Sequence, residues 1–268
     1  MLKSLRYVLN ENRKNTYRII SISKYELLGD IRDSKLGLFW NFANPLIQVL
    51  TYWFVFGVIL NKNEVDGISY IHWMLGGMVV WFFISPCITN GCNAIFSKTN
   101  VITKMKFPVS ILPATVVLKE LFNHVCIMSI LVVVFIGSGI YPTLAWVQLL
   151  YYLFCAVVFS IALSMTTSVL NMIARDTRKL ILALMRLLLY LTPILWTIPD
   201  TLPSWVEMVL KINPIYYIVQ GYRDCFFYQK GIMYYQQGMI SFWVITAALL
   251  LLGSWMLYKF KYKFIDMI

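Results

Sequence analysis

Glu120 and His124 stand four residues apart in the apolar stretch SILPATVVLKELFNHVCIMSILVVVFI (110–136). On a helix that spacing puts a carboxylate and an imidazole on one face, a pairing that general acid–base chemistry needs within reach of a substrate. Lys119 is adjacent to Glu120, so it points about 100° away. A charge placed inside lipid costs at least about 2.5–3.5 kcal/mol, and these groups therefore need a reason to be there. One reason is a membrane-embedded enzyme, with Glu120 and His124 as its polar centre. The other is structural, and it suits the remaining histidine, His72, which falls in a different apolar stretch. Arg186 poses a similar choice between snorkelling to the headgroups and lining a path for an anionic substrate. No G-x-x-x-x-G-K-[ST] pattern occurs, so the chain carries no P-loop for a nucleotide. Cys87, Cys92, Cys126, Cys155 and Cys225 show no CxxC or Cys/His ligand spacing. They read as small buried thiols, with neither a zinc site nor a disulfide framework indicated.

The elements that must hold these residues are membrane helices. Of the 268 residues 60% are apolar and 13% charged, and the mean hydropathy is +0.71, too little charge to solvate a globular surface of this size. Apolar windows long enough to span a bilayer recur along the chain. The fold expected is an all-α polytopic membrane protein with six spans: 36–60, 70–96, 110–136, 143–170, 180–196 and 239–260. Residues 1–35 carry charge throughout and contain no compact apolar core of the signal-peptide kind.

Charge placement orients the spans. Seventeen of the 23 Lys and Arg precede the first span, follow the last, or lie in the connections holding Lys98, Lys104 and Lys106 and Arg175, Arg178 and Lys179. In this topology all fall on one side, and the positive-inside rule makes both termini cytoplasmic. The net charge of +11 then belongs to anionic lipid headgroups and not to nucleic acid.

Three connections stand out. TYRIISISKYELLGDIRDSKLG (16–37) places Tyr17, Ile20, Leu27, Leu28 and Ile31 on one face, the pattern of an interfacial helix. Between spans five and six, residues 199–230 form two apolar pieces, 204–212 and 214–227, broken at Asn213-Pro214. Each is too short to span comfortably, so a re-entrant or interfacial helical hairpin is expected, with the break set by Pro214. SKTNVITKMKFPV (97–109) holds three lysines, no acid and a proline between two apolar runs. A short surface helix stopped by Phe107-Pro108 fits it. Aromatic clusters at 52–57, 81–83 and 190–196 read either as an interfacial belt or as the lining of a conduit, since aromatic faces stack on sugar rings.

LGLFWNFANPLIQVLTYWFVFG (36–57), SKTNVITKMKFPVSILP (97–113), NMIARDTRKLILALMRLLLYLTPILW (171–196) and KINPIYYIVQGYRD (211–224), taken in this order, resemble the permease subunit of ABC-2 type polysaccharide exporters. Among these, the wall teichoic acid translocation permeases are most similar, and the O-antigen and capsule permeases more distant. The resemblance implies a homodimer working with two copies of a separate P-loop ATPase, which would bind the ATP and Mg, while this chain holds no cofactor. It implies export of an undecaprenyl-diphosphate-linked polymer, teichoic acid or a similar polysaccharide. It divides the chain into a cytoplasmic N-terminus, 1–35, with a gate helix bearing Tyr25, Glu26, Leu28 and Arg32, and a transmembrane domain, 36–268. Residues 97–107 would be the coupling helix docked in the ATPase, with Lys98, Asn100, Lys104, Lys106 and Phe107 at the contact and Ile102 and Met105 supplying its apolar part. Spans one and five would line the conduit, making Trp53, Phe56, Arg186, Tyr190 and Trp196 its candidate residues. The chain shows no clear departure from the family pattern, though GDIRDS (29–34) is more acidic than expected.

Overall fold

The computed structural model describes residues 1–32, 36–37, 39–104 and 107–261. Two helices precede the first membrane segment, α1 (Leu2–Lys14) and α2 (Thr16–Arg32). Next come α3 (Phe39–Tyr52), continued by a π-helical turn over Trp53–Ile59, and a small hairpin of β1 (Glu64–Val65) and antiparallel β2 (Ile68–Ser69). Then follow α4 (Tyr70–Cys92), the short α5 (Thr99–Lys104), α6 (Leu112–Gly137), α7 (Leu149–Ile173) and α8 (Thr177–Leu191). The chain continues through α9 (Ser204–Ile212) and α10 (Pro214–Arg223), whose end widens into a π turn over Asp224–Tyr228, and ends in α11 (Gln236–Phe260).

Among the described residues, five helices are long and apolar enough to cross a membrane: Phe39–Ile59, Tyr70–Cys92, Val109–Gly137, Leu144–Ile173 and Ile232–Phe260. The expected fifth span, 180–196, is different. Its helix, α8, has 15 residues and reaches about 22 Å at 1.5 Å per residue, short of the ~30 Å apolar core. It stops because Thr192 is extended (φ −76, ψ 134), as the residue before a proline prefers to be. Trp196 therefore lies beyond the helix. The last helical stretch begins at Ile232, earlier than expected, because the turn at Ile232–Tyr235 leads straight into α11.

The core is built around α4 and α7, the most buried of the long helices. They approach closely where Gly91 meets Ser164: a Cβ on Gly91 would lie 2.6 Å from the serine Cβ, and Ser164 Oγ donates to the Cys87 carbonyl at 2.9 Å. Small residues at such crossings let helix backbones touch where no hydrophobic drive exists between helices in lipid. Cys87, Cys92, Cys155 and Cys225 are buried here as thiols. Helices α3 and α8 lie at the margin, and Leu46, Leu50 and Phe54 on one and Leu180, Leu187 and Leu191 on the other are exposed.

The break between α9 and α10 falls at Asn213-Pro214, as expected. Asn213 is extended, its side-chain oxygen accepts from the Ile215 amide at 3.0 Å, and Pro214 opens α10. An Asn cap followed by proline is a strong helix start. Helix α9 buries no side chain fully, and Trp205, Met208 and Val209 are exposed along it.

Candidate functional site

The basic end of the bundle brings α2, the 96–104 segment and α6 together. Ser23, Glu26 and Asp30 recur at helical spacing, Ser23 and Asp30 meeting α6 and Glu26 the segment before α5. Ser23 is buried and donates to the Thr115 carbonyl at 2.8 Å. Glu26 Oε1 accepts from Lys98 Nζ at 2.7 Å, and Asp30 Oδ2 from Lys119 Nζ at 2.5 Å. Part of the unusual acidity of residues 29–34 thus has a use, because Asp30 neutralises a lysine of α6. The outer side of α2 keeps Tyr17, Ile20, Tyr25 and Leu28 exposed, as a helix resting on lipid requires, and Arg32 is exposed at its end.

These two ion pairs border a polar cavity of about 610 Å³, which Asn90, Asn93, Glu120 and Arg178 also line. Glu120 is buried. Its two oxygens accept from Asn90 Nδ2 at 3.1 Å and Asn123 Nδ2 at 3.2 Å, and Asn123 in turn accepts from Asn41 of α3 at 3.3 Å. His124 is buried as well, but its Nε2 lies 3.2 Å from the Tyr222 hydroxyl and its ring packs on Phe83. Glu120 and His124 thus enter the bundle together and are held by separate partners, without forming one polar centre. His72 packs edge-on against Phe135.

In the connection between α4 and α6 a 3-10 turn over Phe96–Lys98 leads into α5, Thr99–Lys104. Ile102 points inward, 5% exposed, into a cluster with Val8, Val109 and Leu112. It therefore serves the chain's own packing. Asn100, Val101, Thr103 and Lys104 are exposed, Phe107 is half-buried, and Met105 and Lys106 lie outside the described residues. Val101, which sequence reasoning missed, is the apolar residue of the outward face. Helix α1 was missed too. It packs Val8 into the same cluster, Asn12 donates to the Ser110 carbonyl at 3.4 Å, and Ser110 Oγ bonds Glu11. The spacing of Leu5, Val8 and Asn12 carries that signal.

At the opposite end the candidate conduit residues partly converge. Tyr52 of α3 meets Tyr190 of α8 edge-on at 6.5 Å, and Trp196 Nε1 donates to the Tyr190 carbonyl at 2.8 Å. Phe56 is half-buried beside Tyr70, and Trp53 is exposed on the π turn. Arg186 lies one turn before Tyr190 and is exposed.

Helix α10 is fastened to this region by a residue whose burial the sequence did not reveal. Arg223 is 1% exposed. Its Nε donates to the Trp73 carbonyl at 3.3 Å, Nη1 to that of Pro193 at 2.9 Å and Nη2 to that of Ile194 at 2.6 Å. Its guanidinium carbon lies 3.5 Å from the Trp73 ring centre. Tyr70 OH donates to the next carbonyl, Leu195, at 2.8 Å, and Asn213 Nδ2 to Thr192 Oγ1 at 2.9 Å. The segment after α8 would otherwise bury unpaired carbonyls, and these side chains supply the missing donors. Gly77 makes room, since a Cβ there would lie 2.6 Å from Nη2.

A bundle of long apolar helices, with a basic connection tied to α2 by an ion pair, defines a multi-pass membrane protein. The profile of the ABC-2 type transporter family matches residues 17–227, and the chain belongs to that family. It is 27% identical over 252 residues to an O-antigen export system permease protein, RfbA, of Klebsiella pneumoniae, covering 93% of this chain and 94% of the relative. The protein of the same description from Myxococcus xanthus is 28% identical over 212 residues, covering 78% and 80% respectively.

Proposed function

We propose that the chain is the permease half of an exporter that carries an undecaprenyl-diphosphate-linked polysaccharide across the bacterial cytoplasmic membrane. It works as a homodimer with two copies of a separate P-loop ATPase that bind the ATP and Mg, and its basic end, with both termini, faces the cytoplasm. The observation that carries this reading is the ion pair between Lys98, at the start of the coupling segment, and Glu26 of the gate helix. A push on the outward face of α5 reaches α2 through that contact, and α2 borders the polar cavity. The exposed apolar faces of α3 and α8 support pairing with a second copy, whose conduit these helices would share.

Wall teichoic acid is the polymer to which the motif resemblance points. A second reading, an O-antigen-like glycan, is favoured by the names of the relatives and by the carboxylate and amides around Glu120, which suit hydroxyl groups. The test is reconstitution of the chain with its ATPase in liposomes, following ATP hydrolysis and glycan translocation with each lipid-linked polymer. ATP-dependent translocation supports the reading. Chemical turnover of the glycan by this chain alone, without ATP, would overturn it in favour of a membrane-embedded enzyme.

A further inference from the structure

A second cavity, of about 290 Å³, opens between α3, α4 and α6, lined by Trp40, Asn44, Gln48, Trp81, Ser85 and Asn123 among others. All six belong to helices long and apolar enough to cross the membrane. Asn41, Asn44 and Gln48 succeed one another at helical spacing along one stripe of α3, and Asn44 and Gln48 are exposed. Amides facing hydrocarbon without partners cost several kcal/mol each, so a stripe of them calls for a polar occupant. Glu120 borders this cleft and the larger cavity at the basic end, and stands as the partition between them.

We infer that this cleft is a sugar-binding subsite at membrane depth, with Glu120 as its hydroxyl acceptor, an inference that rests on the export reading above. A carboxylate offers about four acceptor positions, and the amides of Asn90 and Asn123 occupy one on each oxygen. The free positions accept O–H groups. A phosphodiester brings only acceptors and a negative charge, both of which Glu120 disfavours. Trp40 and Trp81 add aromatic surface, suited to the C–H face of a pyranose ring. The volume is at the small end for a ligand cavity and suits a single ring. The ligand class is therefore an uncharged, hydroxyl-rich sugar unit, while the cations Lys98, Lys119 and Arg178 stand on the other side of the partition.

The test uses the permease assembled with its ATPase in nanodiscs and saturation-transfer NMR. The probes are a neutral glucose trisaccharide and a glycerol-phosphate oligomer of matched length. Wild type is expected to bind the trisaccharide and not the charged oligomer. Glu120→Gln keeps the size of the side chain but loses the charge and one acceptor, so it should weaken trisaccharide binding three- to tenfold and admit the charged oligomer. Ser85→Phe leaves Glu120 intact and fills the cleft, so it should abolish trisaccharide binding even if Glu120→Gln fails to fold. Failure of wild type to bind the trisaccharide, or equal binding by wild type and every folded variant, overturns the subsite. Absence of ATP hydrolysis stimulated by a lipid-linked glycan in wild type instead overturns the export reading, so the two failures are distinguishable.

Discussion

The ammonium of Lys98 lies 2.7 Å from the Glu26 carboxylate, tying the connection between two membrane helices to a helix that precedes them both. The side chains are 34% and 21% exposed, so the pair adds less than about 1 kcal/mol to stability. Its value is positional. Glu26→Lys or Lys98→Glu should each lower glycan-stimulated ATP hydrolysis several-fold with little change in Tm. The double exchange should restore most of it. No recovery in the double exchange would remove this pair from the linkage.

The outward face of α5 should bind the ATPase. Val101→Asp and Lys104→Glu are expected to weaken co-purification with the ATPase while leaving the permease folded. Ile102→Ala should instead destabilise the permease itself by about 2–5 kcal/mol, the usual cost of emptying a packed isoleucine site. Unchanged co-purification of the Val101 and Lys104 variants would place the docking surface elsewhere.

Arg223 should behave as a clamp. Arg223→Met leaves the carbonyls of Pro193 and Ile194 without donors, at about 1–3 kcal/mol for each one left unsatisfied. A marked fall in the Tm of the detergent-purified permease follows. Arg223→Lys, with a single ammonium, should be intermediate. Gly77→Ala, which presses on Nη2, should reproduce the defect with Arg223 intact. A wild-type Tm in both Arg223→Met and Gly77→Ala would show the clamp to be idle.

Arg186 is exposed near the middle of α8, one turn from Tyr190. If it meets phosphate groups entering the conduit, its paired donors matter as well as its charge. Export at matched expression should then fall from wild type to Arg186→Lys to Arg186→Ala. Near-normal export by the lysine variant fits snorkelling instead, and equal export by all three would exclude a substrate contact.

Local signals made part of this fold readable from the sequence. Asn213-Pro214 marks the hairpin break because cap chemistry and proline sterics act within a few residues. The apolar stripe of α2 was equally plain, being a matter of helical period. Ile102 was not, because in a six-residue helix flanked by lysines either face can be the inner one, and α1 decides it. Glu120 and His124 were legible as buried polar groups, and Asn123 lies one turn from Glu120 by spacing, but Asn90 of α4 and Tyr222 of α10 are partners that no spacing within α6 reveals. Arg223 was the hardest to read. A cation near a span end ordinarily reaches water, and only the carbonyls exposed by the stop at Thr192-Pro193 give it a reason to turn inward.

The clamp around Arg223 also sets an order in time. Trp73 precedes its arginine by 150 residues, about 8–30 s of synthesis at ~5–20 residues per second. Through that interval the first four long helices can enter the bilayer and pack, while the Trp73 ring and the carbonyls after α8 wait for their donor. The segment after α8 is thus fastened only after α10 has emerged. A nascent chain halted before Arg223 would already possess a bundle, but one whose buried carbonyls after α8 still lack their donors.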